Sequence, residues 1–186
     1  MVCRLILITA CAAASARAEL QLIPTLSEYE LEGVKFSRLA FRDAGKTPTY
    51  QPPRGWDYSG SGDRLILRPA AKSQAEAIIS RAALPQPCTL DDENLKKLAA
   101  EALTCAPKGG GAAKIISQEK NPLHIDGKET FQVLISYELQ GQTFERSILF
   151  LNRQSDQLRF QLAAPARDFK ELEAVFQSSL CSWRNL

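Results

Sequence analysis

Little in this chain is suited to covalent chemistry. It carries a single histidine, His124, in 186 residues, so a two-histidine metal motif of the His-Glu-x-x-His kind is excluded. No Gly-x-Ser-x-Gly elbow occurs. Gly109-Gly110-Gly111 follows a helical pattern and lacks the Lys-Ser/Thr of a phosphate loop, so it reads as a hinge or stop. After residue 18 no segment approaches the roughly 20 consecutive apolar residues of a membrane-spanning helix. No basic run or stripe remains there either, which argues against nucleic acid as a partner.

The formal charge of +2 belongs to the first 18 residues. Arg4 precedes an apolar stretch over residues 5–14, and Ala16-Arg17-Ala18 offers a small-x-small cleavage site before Glu19. That is the three-part pattern of a secretory signal peptide. Without Arg4 and Arg17 the chain has 21 basic and 21 acidic residues. Residues 19–186 are long and apolar enough for one domain with a real core, and the expected location is periplasmic or extracellular. Ile8-Thr9-Ala10-Cys11 forms a second, lipoprotein-type cleavage box. It ranks behind the first because only about six apolar residues precede Cys11.

Three cysteines follow the leader: Cys88, Cys105 and Cys181. An oxidising compartment favours one bridge and one odd thiol. Cys88 and Cys105 flank a predicted helix whose ends lie about 18 Å apart, whereas a disulfide needs Cα atoms about 5.5 Å apart. The connectivity stays open, with Cys181 as the competing partner for either.

What is present is strand. Residues 131–162 hold three alternating apolar and polar runs, an antiparallel meander. A turn at Gln140-Gly141 sets Phe131 opposite Phe150, Val133 opposite Ile148 and Tyr137 opposite Phe144. A five-residue loop over 152–156 then sets Phe150 opposite Leu158 and Ile148 opposite Phe160 on the same face. Leu134, Leu149 and Leu151 occupy the other face, so helices are expected on both sides, an α+β sandwich.

Upstream, residues 19–27 read as an extended lead-in, 28–41 as one or two strands bent at Gly33, and 43–55 as a Pro/Gly loop. Residues 56–58 and 64–68 form a hairpin around Gly60-Ser61-Gly62-Asp63. Residues 75–82 are assigned to a strand although their alanines favour helix. A helix over 89–103, capped by Thr89 with Asp92, places Leu95, Leu98, Ala99, Ala102 and Leu103 inward. A short strand over 113–118 and an Asp126-Gly127 turn lead into the meander. A last helix starts at Asp168, capped by its carboxylate, with Phe169, Leu172, Val175 and Phe176 inward.

The candidate chemistry is sparse. His124, Asp126 and Glu129 can offer a nitrogen and two carboxylates to a divalent ion such as zinc or manganese; the plainer reading is a polar turn. A small metal-dependent or hydrolytic enzyme built on His124 is the alternative function. Asp91-Asp92-Glu93 fall in a first helical turn, where the dipole accounts for them. Arg146 is the one charge on the apolar hairpin face, opposite Ile135: an anchor for an anionic ligand or a partner's carboxylate, or a marginal residue snorkelling to water. Tyr50, Trp56 and Tyr58 gather aromatics near a rigid Pro-Pro loop, as binding surfaces do, although a Trp after Pro-Pro-x-Gly also locks a loop onto a core.

Four features together resemble the PsbP-like family: Pro52-Pro53-x-Gly55-Trp56, the Asn121-Pro122-Leu123 to Gly127 connector, Tyr137-x3-Gly141, and Asp168-Phe169 with Phe176, Leu180 and Trp183. The resemblance spans residues 34–183 and implies an antiparallel sheet between helices. It implies no catalytic residue, docking to other proteins as the commonest role, and metal binding in some members. The Cys88/Cys105 pair departs from it. The resulting expectation is an exported, non-catalytic protein that binds or helps assemble an unidentified protein or small ligand of the envelope or extracellular space.

Overall fold

The computed structural model describes residues 19–186; the leader pattern, with both cleavage boxes, lies outside the described residues. In chain order the elements are β1 (Gln21–Leu31), β2 (Val34–Arg42), β3 (Thr49–Tyr50), β4 (Trp56–Ser61), β5 (Arg64–Pro69), β6 (Glu76–Ala83), α1 (Asp92–Thr104), β7 (Lys114–Lys120), β8 (Phe131–Leu139), β9 (Gln142–Asn152), β10 (Asp156–Pro165) and α2 (Ala166–Leu180). A seven-stranded sheet runs β4-β5-β6-β10-β9-β8-β7, and β1-β2-β3 form a separate three-stranded sheet. All of these pairings are antiparallel.

The β8–β9 hairpin has the expected register, with Phe131 opposite Phe150, Val133 opposite Ile148 and Tyr137 opposite Phe144. The next corner differs from expectation by one residue. Leu158 lies opposite Leu151 and Phe160 opposite Leu149, so β10 turns its large apolar side chains to the face opposite Phe150 and Ile148. The cause is a four-residue loop: the Arg153 amide donates to the Asp156 carbonyl, and the Arg153 guanidinium grips the Asp156 carboxylate. A slip of one residue exchanges the faces of a strand.

Two cores result. On one face, Leu149, Leu151, Leu158, Phe160 and Leu162 pack with α2 and the three-stranded sheet. On the other, Phe131, Val133, Ile135, Tyr137, Phe144, Ile148 and Phe150 pack with Leu98, Ala99 and Ala102 of α1. Trp183 is fully buried in the first core. It stacks on Tyr50 at 4.9 Å and Phe41 at 5.3 Å and meets Phe160 edge-on at 6.2 Å.

Both helix starts differ from expectation. The α1 cap is Asp91, whose Oδ1 accepts from the Asn94 amide at 3.0 Å, while Thr89 Oγ1 donates to Asp91 Oδ2 at 2.6 Å. These donors hold the Asp91 carboxyl below its ordinary range. α2 begins at Ala166 after Pro165, with no side-chain cap. Asp168 lies inside its first turn and pairs with Lys72 at 2.6 Å. Leu180 completes the buried stripe, and Val175 is exposed.

The lead-in is part of β1, a strand from Gln21 to Leu31 whose register against β2 shifts between Gln21 and Thr25. It crosses β4 at Gly60, where a Cβ would come within 2.3 Å of the Leu22 carbonyl oxygen and 2.4 Å of Pro24 Cδ. Gly60 is therefore strand rather than turn, and Gly62-Asp63 alone link β4 to β5.

Candidate functional site

Beyond the crossing at Gly60, the β1–β2 hairpin leaves the body of the protein as an arm. None of residues 23–38 is buried. Tyr29 stacks on Phe36 at 5.4 Å, Arg38 lies over Tyr29 at 4.9 Å, and Leu31 pairs with Val34 at the tip. Cross-strand partners share a face, so Tyr29, Leu31, Val34 and Phe36 make one continuous apolar surface. Leu26, Glu28 and Glu30 alternate to the opposite face, where Lys35 lies across from Glu30, so that Glu28 and Glu30 present their charge towards the open edge of β1. Ile23, Leu26, Leu31 and Val34 are four of the seven large hydrophobics exposed among the described residues. β1 is the edge of its sheet. Sequence alternation shows these strands but not that nothing covers them, because cover is set by distant elements.

A second feature lies between the C-terminal end of α1 and the sheet: a cleft of about 200 Å³ whose lining includes Tyr137, Phe144, Arg146, Glu76, Gln161 and Ala163. Arg146 lies opposite Ile135, as expected. Its Nη1 donates to the Cys105 carbonyl at the end of α1, its guanidinium lies 5.9 Å from the Tyr137 ring, and its Nε is buried without an acceptor. It is thus held against the helix terminus, where the dipole favours a cation, and does not simply extend to water from a sheet margin.

The other sequence candidates are placed as follows. Tyr50 is fully buried, its hydroxyl 2.8 Å from Ser179 Oγ, and burial pushes its pKa far up. Trp56 is buried and stacks on Phe176 at 6.1 Å. Both belong to the core, and only Tyr58 of the three aromatics is exposed. His124 and Glu129 are exposed. The Asp126 carboxylate accepts the Leu186 amide at 2.8 Å and lies 3.7 Å from Lys128 Nζ. The three are not brought together: among the described residues, no three or more His, Cys, Asp or Glu side chains form a group able to hold a metal.

Cys88, Cys105 and Cys181 are free thiols, so the expected bridge is not formed. Each donates to a nearby carbonyl, of Thr89, Glu101 and Gln177 respectively. Cys88 and Cys105 lie beyond opposite ends of the 13-residue α1, and the intact helix keeps them apart. Burial pushes the Cys105 thiol up, with Arg146 pulling the other way. No helix among the described residues is long and apolar enough to cross a membrane.

No family model and no curated protein sequence matches the chain. Among solved structures, the solution structure of the PsbP protein of the cyanobacterium Synechocystis superposes with a TM-score of 0.57 at 13% identity, over 95% of this chain and 98% of that one. A Pseudomonas aeruginosa protein of unknown function matches at a TM-score of 0.43 and 14% identity, over 84% of this chain and 94% of that one. The fold expected from the sequence resemblance, an α+β PsbP-like sandwich, is the fold of this chain.

Proposed function

We propose that this PsbP-like chain is a non-catalytic docking protein that binds another component of the envelope or extracellular space through its β1–β2 arm. One observation carries the reading: Leu31 and Val34 are exposed beside Tyr29 and Phe36 on one face of a hairpin with no buried residue from 23 to 38. Scattered exposed apolar residues are ordinary, whereas a cluster of them on a projecting element marks an interaction site. Export rests on the leader pattern of Arg4, residues 5–14 and Ala16-Arg17-Ala18.

The occupant is an extended segment of another protein, added as a strand along the open edge of β1. Such a segment pairs with the β1 backbone, sets apolar side chains beside Tyr29 and Leu31, and sets Lys or Arg beside Glu28 and Glu30 on the opposite face. A second copy of this chain fits less well, because antiparallel β1–β1 pairing brings Glu28 and Glu30 against each other.

A photoreactive residue at Leu31, compared with one at exposed Glu119 on β7, tests the reading in producing cells. Crosslinks from position 31 alone, mapped by mass spectrometry to a Lys- or Arg-bearing strand segment, are expected, together with their loss in Val34→Asp. Equal crosslinking from position 119, or capture of a helical or acidic segment, would overturn it.

A further inference from the structure

The Arg146 cleft poses a separate question, because its cation has no anion. Among the described residues no carboxylate comes within ion-pair distance of Arg146. Nη1 is taken by the Cys105 carbonyl, while Nε is buried and unpaired. A guanidinium partly withdrawn from water is costly unless its donors are satisfied, and a carboxylate matches its fork in charge and shape. The only acidic residue in the lining, Glu76, is already paired with Arg68 on the neighbouring strand.

The rest of the cleft has a different character. Tyr137 and Phe144 stack at 5.9 Å, and Ile78, Ala163 and Pro107 add apolar wall. Gln74 and Gln161 supply neutral amides. At about 200 Å³ the space falls below the roughly 300 Å³ at which drug-sized sites begin. It suits a single ring or a short chain. A phosphate dianion is poorly matched, since one guanidinium faces it, Glu76 repels it and the walls are hydrocarbon.

We propose that this cleft is a binding site for a small organic monocarboxylate, with the carboxylate on the Arg146 guanidinium and the hydrocarbon part against Tyr137 and Phe144. The site is independent of the arm, and its ligand can bind whether or not a protein partner is docked.

Benzoate, titrated into the isotopically labelled exported protein and followed by NMR, is the probe, with benzyl alcohol and inorganic phosphate as the two comparisons. Saturable benzoate binding is expected, with shifts centred on Tyr137, Phe144, Arg146 and Gln161, and much weaker effects from either comparison compound. Arg146→Gln should weaken benzoate by about tenfold or more, the effect of losing a charged hydrogen-bonding partner. Because that change also frees the Cys105 carbonyl, Ala163→Leu provides a second variant, which fills the cleft and leaves the charge in place; it too should weaken benzoate, by at least as much. Glu76→Gln should tighten benzoate severalfold, which a merely structural Arg146 does not predict. Absence of saturable benzoate binding, equal binding of phosphate or benzyl alcohol, or unchanged affinity in Arg146→Gln and Ala163→Leu would overturn the proposal.

Discussion

Arg153 grips both carboxylate oxygens of Asp156, Nε to Oδ1 at 2.6 Å and Nη2 to Oδ2 at 2.7 Å, and its Nη1 reaches Asp43 at 2.6 Å. This largely buried ion triad closes the β9–β10 corner and ties it to the end of β2. Asp156 is 1% exposed, so Arg153→Met strands a buried carboxylate whose next cation, Arg81, is 4.0 Å away. A loss of about 3–5 kcal/mol is expected in urea unfolding. Recovery of much of that loss in Arg153→Met/Asp156→Leu would identify the stranded charge as the cause.

Val133 is fully buried between α1 and the sheet. Val133→Asp should therefore cost more than about 3 kcal/mol or prevent folding. The adjacent position on the other face is not neutral either, as alternation alone would have it. Gln132 Nε2 donates to Glu173 Oε1 on α2 at 2.7 Å, so Gln132→Asp should destabilise as well, by setting a second carboxylate beside the first. Circular dichroism melts of the two variants beside an exposed control, Glu119→Gln, check the ordering.

Glu173 supplies a pH prediction. Burial raises its pKa above the ordinary 4.5, against the hydrogen bonds from Ser147 and Gln132. With the folded pKa above the unfolded one, the protonated form is favoured in the native state. That contribution is fully present below about pH 4.5 and is lost as pH rises through the folded value. Glu173→Gln should accordingly raise the melting temperature at pH 7 and make little difference at pH 4. An equal effect at both pH values would show that the charge is not the cause.

The three thiols should react in order of access. Cys181 is exposed, Cys88 is intermediate, and Cys105 is half-buried with its thiolate disfavoured by burial. Alkylation timed by mass spectrometry on the folded protein should label Cys181 first and Cys105 last. A bridge between any two of them in protein from its native source would contradict the free-thiol arrangement.

How far the sequence carries depends on the element. The β8–β9 register is legible because a two-residue turn joins strands whose apolar residues fall on one parity near Phe131 and Phe150. The next corner is not, because β9 is apolar on both faces, with Ile148 and Phe150 on one and Leu149 and Leu151 on the other. A pattern apolar on both sides cannot distinguish a four-residue from a five-residue loop; the Arg153–Asp156 grip does. Asp168 has the side chain of a cap, yet its carboxylate is drawn to Lys72, 96 residues earlier in the chain. Arg146 is recognisable as a lone charge on an apolar face, while its Cys105 partner, 41 residues away, depends on where α1 ends. The arm is legible as strand but not as exposed, since exposure is decided by which elements fail to reach it.

Gly60 should govern how the arm is carried. Its added Cβ would collide with the backbone of Leu22 and the ring of Pro24, so Gly60→Ala must displace β1 from β4. Hydrogen exchange should then speed up in residues 20–26 while β8 and β9 keep their protection. Unchanged exchange in β1 would mean that the crossing is looser than the close approach implies.

The docking claim is tested most directly by offering the edge of β1 a strand of known charge. Two peptides of equal length, alternating Val with Lys or Val with Glu, are titrated into the labelled protein and followed by amide NMR. The Val/Lys peptide is expected to shift and protect amides of residues 27–31, with the effect lost in Leu31→Asp and the Val/Glu peptide inert. Equal response to both peptides, or shifts confined to the Arg146 cleft or the α2 face, would contradict the arm as the docking element.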